Sequence, residues 1–212
     1  MKHHIVICLL FLWMGSSHAQ FGVRGQMVRA AIPMPTSTDQ SASQLSHSGY
    51  DVGIHYWLRL PEHRIEFYPE ITYANFSRSE PTSPADRPID IDRYGLSLPI
   101  SVYPFDFRGD CDCPTFSKQN DLFKKGFFLQ LVPSFYQVHS SFTDQPTAKT
   151  WKSQAGLAIG VGLDIGISNL VTISPLLHYY TQVLQTTSTS EGPLGEHEFR
   201  FGIRVAFRPE YL

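Results

Sequence analysis

Apolar and polar residues alternate with a period of two over most of the chain beyond residue 20, and no convincing amphipathic helical period interrupts them. In the last segment Phe199, Phe201, Ile203, Val205 and Phe207 fall on one side, and Glu198, Arg200, Gly202, Arg204, Ala206 and Arg208 on the other. Only a strand gives each set its own face. From Gln154 to Gly166 the pattern recurs: Ala155, Leu157, Ile159, Val161, Leu163 and Ile165 alternate with Gln154, Gly156, Ala158, Gly160, Gly162, Asp164 and Gly166. The second set is mostly small, with one acid. In a soluble sandwich it would turn a run of glycines to water and weaken the strand for no gain. Inside a narrow barrel, small residues make room for large ones opposite.

Other segments read the same way. Tyr50, Val52, Ile54, Tyr56 and Leu58 oppose Asp51, Gly53, His55, Trp57 and Arg59, and Ile65, Phe67, Ile71 and Tyr73 oppose Glu66, Tyr68, Glu70 and Thr72. Tyr94, Leu96, Leu98, Ile100 and Val102 oppose Arg93, Gly95, Ser97 and Ser101, while Phe127, Leu129, Leu131 and Phe135 oppose Gln130, Ser134 and Tyr136. Near residues 170 to 183, Val171, Ile173, Leu177, Tyr179 and Val183 oppose Thr172, Ser174, His178, Tyr180 and Gln182. With a first strand around Phe21 to Ala30 the total is eight. That number is even, and strands of about ten residues suit a tilted bilayer crossing. The expected fold class is all-β: an eight-stranded antiparallel up-and-down transmembrane β-barrel. With the N-terminus in the periplasm, connectors near 32 to 47, 79 to 88, 140 to 149 and 186 to 196 lie outside and are polar and rich in Ser, Thr, Pro and Gly. Inner turns near 60 to 64 and 167 to 169 are short, but the turn from about 104 to 125 is long where brevity is expected.

The N-terminus changes what counts as the folded part. Lys2 precedes an uncharged apolar stretch from Ile5 to Met14, then Gly15, Ser16, Ser17, His18 and Ala19. The stretch is too short to span a bilayer, and the small residues Ser17 and Ala19 place a signal-peptide cut before Gln20. Residues 1–19 are therefore read as a cleaved signal peptide, which takes Cys8 with it, and 20–212 as one outer-membrane barrel domain. Removing Lys2 leaves 16 of the 17 basic residues against 19 acidic ones, a balance that speaks against nucleic acid held by general charge attraction. No later stretch approaches the roughly 20 apolar residues of a membrane helix, so membrane association would use strands or a surface.

Pro69-Glu70-Ile71, Pro133-Ser134-Phe135 and Pro175-Leu176-Leu177 each precede a tyrosine within four residues and form a weak internal repeat. A mid-strand proline removes a ladder donor, so these positions call for bulges. Taken together, Gln20-Phe21-Gly22-Val23-Arg24-Gly25, Tyr68-Pro69-Glu70, Lys125-Gly126-Phe127-Phe128 and the closing strand from Phe199 to Phe207 resemble the outer-membrane β-barrel domain family of Bacteroidetes. That group includes PorT-like proteins and small OmpX-like barrels. The resemblance spans essentially the whole chain after residue 19. It implies an outer-membrane location and an eight-stranded barrel, and it supplies no catalytic residues.

His139 and Ser141 lie two apart on one strand face near the outer rim, the spacing used by some lipid A deacylases. No acid is identifiably placed to orient His139, and Ser140, Ser141, Thr143 and Asp144 read as an ordinary polar loop. Glu66, Glu70, Arg93, Asp164, Glu198, Arg200 and Arg204 all fall on the inner face, where a narrow barrel would pair them into a salt-bridged plug rather than a conducting pore. His55 and His178 also point inward and read as hydrogen-bonded fillers, so no metal is assigned. Tyr103, Phe105, Phe107 and Tyr211 lie near inner ends, where an interfacial girdle belongs.

Cys111 and Cys113 are the thiols that remain after processing, in the Gly109-Asp110-Cys111-Asp112-Cys113-Pro114 stretch of the long turn. A strained, easily reduced disulfide, a periplasmic docking surface and metal capture are the alternatives there. The reading that follows is an integral protein of the bacterial outer membrane with a structural, adhesive or assembly and secretion-associated role. It has no catalysis and no cofactor of its own, outer-membrane lipid around it, and a periplasmic or secretion-machinery protein as candidate partner. Its rivals are a soluble periplasmic β-barrel or sandwich binding a ligand, and a lipid A-modifying barrel enzyme using His139 and Ser141.

Overall fold

The computed structural model describes residues 20–32, 45–60, 63–77, 89–107, 122–142, 145–168, 170–185 and 197–207. The proposed signal peptide, Tyr211 and the Cys111–Cys113 stretch lie outside them. Among the described residues eight strands follow one another: β1 (Phe21–Ile32), β2 (Leu45–Tyr56, continued by Leu58–Arg59), β3 (Ile65–Phe67, continued by Glu70–Ser77) and β4 (Ile89–Ser97, continued by Ile100–Val102). Then come β5 (Phe127–Phe142), β6 (Gln145–Leu163, continued by Ile165–Gly166), β7 (Val171–Gln185) and β8 (His197–Phe207).

Every neighbour pair is antiparallel, from Phe21↔Tyr56 between β1 and β2 to Val171↔Phe207 between β7 and β8. The sheet then closes on itself, because β8 also pairs with β1 from Phe21↔Phe207 to Ala31↔His197. Closure leaves no strand edge and satisfies the backbone within the wall, as a bilayer demands.

The alternation read from the sequence is the wall's inside and outside. In β8, Glu198, Arg200, Gly202, Arg204 and Ala206 are buried and the residues between them are not. Across the outer face Met27, Ile54, Ile71, Leu96, Ile159 and Phe201 are exposed, 58–76% each, with no protein over them. An apolar belt of this kind on a closed barrel is the surface a bilayer covers. Inside, Gly53, Gly95, Gly156 and Gly160 occupy the places where a Cβ would run into Glu70, Tyr136, Tyr180 and His178. The glycine-rich inner face of β6 thus makes room for side chains of the neighbouring strand.

The prolines do not sit in bulges. Pro69 and Pro99 fall where β3 and β4 are interrupted, and there Tyr56 N donates to Pro69 O and Tyr68 N to Pro99 O. Pro133 and Pro175 stay in register, opposite Leu157 and Ile203. The register places Pro69, Leu98 and Pro133 side by side in one row of β3, β4 and β5, where Leu98 N donates to Pro133 O. The donors missing from β3 and β5 therefore share one line across the wall, on either side of Leu98 in β4. The recorded irregularities are elsewhere, at Gln182/Leu184 and Ser140/Phe142.

One expected loop is a correction. Residues 145–150 continue the ladder, so β5 and β6 run 16 and 19 residues and leave only 143–144 between them instead of a connector over 140–149. At the opposite end, turns 60–64 and 167–170 are short, and the long connection from 103 to 126 contains a five-residue helix α1 (Leu122–Gly126). Two of the three turns at that end are short, as on the periplasmic side of an outer-membrane barrel.

Candidate functional site

The seven charged residues expected inside are all buried, and they are joined by Arg24, Asp51 and Arg64. Among the described residues the buried charges are thus five arginines and five carboxylates. Toward the loop end Arg93 Nη1 donates to Glu198 Oε1 at 2.7 Å, and Arg200 Nη2 to Glu198 Oε2 at 2.8 Å. Arg93 belongs to β4 and Glu198 to β8, opposite staves of an eight-stranded ring, so this pair crosses the lumen. Asp51 lies 3.4 Å from Arg200 and 2.8 Å from Arg24, whose Nε also donates to Glu70 at 2.9 Å. The guanidinium of Arg200 lies 4.2 Å from the Tyr180 ring centre and that of Arg93 4.3 Å from Phe76. Around them Val28, Ala74, Phe76, Ile91 and Val138 form part of a buried apolar cluster, with Val28 paired to Arg200 and Ala74 and Val138 to Arg93.

A second cluster fills the periplasmic half. Asp164 accepts from Ser174 at 2.6 Å, Tyr103 at 2.7 Å and Arg204 at 3.2 Å. Glu66 accepts from Trp57 at 2.8 Å and from Tyr68, and the Tyr103 hydroxyl, with one proton to share between the two carboxylates, lies 3.0 Å from it. Arg64 closes the base: its Nη1 donates to Lys125 O at 2.6 Å and to Asp106, and its guanidinium stacks 3.9 Å from the Tyr103 ring centre. Tyr103, expected in an interfacial girdle, is a fully buried member of this plug, because its hydroxyl reaches two carboxylates. Phe105 and Phe107 are exposed. Between the clusters His178 bridges Gln26 and Gln130 at 2.7 Å on each ring nitrogen, and Gln130 donates onward to Ser101 at 2.7 Å. Each of the ten buried charges faces an opposite charge, which offsets its desolvation, although the Nε of Arg93 and of Arg204 finds no acceptor among the described residues.

The outer wall holds a second assembly. The register lines up Tyr50, Asn75, Asp92, His139 and Trp151 in one outward row from β2 to β6. One pleat nearer the periplasm runs the row Gly25, Val52, Tyr73, Tyr94, Gln137 and Ser153, and below it Val23, Ile54, Ile71, Leu96 and Phe135. Between the lower two rows lies a groove of about 830 Å³ with an almost wholly apolar lining. At its upper edge Asp92 Oδ1 accepts from Tyr73 at 2.8 Å and Asn75 at 3.0 Å, while Gln137 donates to Ser153 at 3.0 Å. His139 Nδ1 lies 3.9 Å from Asp92 Oδ2, and its ring packs 4.8 Å from Trp151.

An acid absent from the sequence reading therefore does stand beside His139, supplied by β4. At 3.9 Å it is not a hydrogen bond, and the side chain of Ser141 lies outside the described residues. No group of three or more metal-ligating side chains occurs among the described residues.

No family model and no curated protein sequence matches the chain. Solved structures with similarity include the Neisserial surface protein A, at 11% identity and TM-score 0.49, covering 90% of this chain and 99% of that one. The attachment invasion locus protein Ail of Yersinia pestis has 12% identity, TM-score 0.40 and coverage of 90% and 98%. The outer membrane protein OprG of Pseudomonas aeruginosa has 12% identity, TM-score 0.39 and coverage of 90% and 96%. With scores below 0.5, the assignment rests on this chain's own closed antiparallel ladder and exposed apolar belt. These make it an eight-stranded antiparallel β-barrel of the bacterial outer membrane.

Proposed function

We propose that this protein is a plugged, non-catalytic outer-membrane barrel that serves as a rigid mount for its outer loops and its long periplasmic turn. Its role is structural, adhesive or assembly-associated, in the manner of PorT-like and OmpX-like barrels. The observation that carries the reading is the lumen: Arg93 and Glu198 join opposite walls within a matched set of buried charges. A balanced, crossed interior leaves neither a path nor a net field for ions. What is left to act is the surface: the connectors at 33–44, 78–88 and 186–196, the long β5–β6 hairpin, and the periplasmic connection that carries Cys111 and Cys113.

Reconstitution into planar bilayers tests the plug. The expected result is no stepwise current, and a regular single-channel conductance would overturn it. Crosslinking in intact cells tests the mount: a reproducible outer-membrane or periplasmic protein partner is expected, captured through these connectors.

A further inference from the structure

The outer wall carries polar groups where a lipid-facing surface has no use for them. Asp92, Asn75 and Gln137 stand on the same outward parity as Leu96 and Phe135, at the loop end of the belt. A carboxylate among acyl chains is costly, so this cluster sits at the headgroup level of the outer leaflet. Tyr73 and Tyr94, rings 5.2 Å apart, mark the interface just below it. The apolar groove runs along the row of these tyrosines to Gly25, where a Cβ would meet nothing within 4 Å, so the outer wall is hollow at that point.

We infer that this groove and the cluster above it form a binding site for a glycolipid of the outer leaflet, one acyl chain in the groove and a saccharide headgroup on Asp92, Asn75 and Trp151. This inference rests on the outer-membrane reading. The groove is almost wholly apolar and lies on the outward, lipid-facing side of the wall, so its occupant is a hydrocarbon chain. The headgroup follows from the cluster. Asp92 Oδ2 takes neither of the bonds from Tyr73 and Asn75. A carboxylate and two amides suit hydroxyl and amide donors and repel a phosphate. Trp151, 63% exposed beside His139, offers an aromatic face of the kind that the C–H side of a sugar ring packs against.

The test is native mass spectrometry of the refolded barrel in detergent, with three probes of equal chain length. These are a diacyl lipid with a glucosamine headgroup, phosphatidylglycerol and phosphatidylcholine. One retained glucosamine lipid per barrel is expected, at roughly tenfold lower concentration than either phospholipid requires, a difference of the size a charged hydrogen bond gives. Asp92→Ala should remove that preference by lowering glucosamine-lipid retention, while phospholipid retention should stay equal or rise as the repulsion of phosphate is lost. Gly25→Leu should weaken retention of all three by filling the groove. Equal retention of the three lipids by the unaltered protein would overturn the site, as would glucosamine-lipid retention untouched by both variants. The same samples run unheated and boiled on SDS gels report separately on the barrel. Unchanged mobility of the unaltered protein would overturn the outer-membrane reading instead.

Discussion

At the scale of single residues, the wall obeys two different rules a residue apart. Val161 points outward and Gly160 inward, against His178. Val161→Arg puts a charge toward lipid and should cost about 2 to 4 kcal/mol of membrane stability. Gly160→Ala acts through packing alone, because its new methyl meets the ring of His178 and displaces the bridge between Gln26 and Gln130. Urea titration of the barrel in lipid vesicles measures both, and equal tolerance of the two changes would mean the faces are reversed. The lumen pair makes a second test. Glu198→Ala leaves Arg93 and Arg200 buried without their shared carboxylate and should lose about 3 to 5 kcal/mol, whereas Arg93→Met with Glu198→Leu and Arg200→Met should lose far less. If the triple variant is the weaker, the network is stabilising in itself.

At the scale of elements, legibility follows from whether a residue's position repeats. The buried charges on β3, β4, β6 and β8 were readable, because each alternates with an apolar neighbour that fixes its parity. Asp51 and Arg24 had the same signal: Asp51 faces with Gly53 and His55, and Arg24 with Gly22 and Gln26. Asp92 was readable as an anomaly, an acid on the parity of Tyr94 and Leu96. Arg64 was not, since a turn has no period, and its role appears only when the base of the barrel is assembled around it. The same limit explains the β5–β6 hairpin, where Gln145 to Thr150 carry no apolar alternation and read as a loop, yet belong to the strand.

Arg64 also ties two elements together, since it joins the β2–β3 turn to Lys125 of α1 and to Asp106. Arg64→Ala should cost roughly 2 kcal/mol, the scale of charged hydrogen bonds lost from a part-buried site. It should also loosen the 104–125 connection. Thiol labelling of Cys111 and Cys113 under reductant should then run faster than in the unaltered protein. Unchanged labelling would mean that Arg64 does not hold that connection down.

At the scale of the whole molecule, the property that all the local choices serve is closure. Eight antiparallel seams are needed, and the last, β8 on β1, joins the two ends of the described chain. It is also the seam with the highest sequence separation, so it has the largest loop entropy to overcome and the least local help. Gly202 lies on it, and a Cβ there would run into the backbone of β1 at Gly25 O and Gln26. Backbone cannot step aside as a side chain can, so Gly202→Val should hold the seam open, whereas Gly25→Leu, directed outward, should leave it shut. A closed ladder gives detergent no edge to enter. The unaltered protein and Gly25→Leu should therefore migrate faster on SDS gels unheated than boiled, and Gly202→Val should run at the boiled position under both conditions. A fast-migrating unheated band from Gly202→Val would show that closure does not depend on the close approach at that seam. The same band missing from the unaltered protein would mean that the wall does not close in a membrane at all.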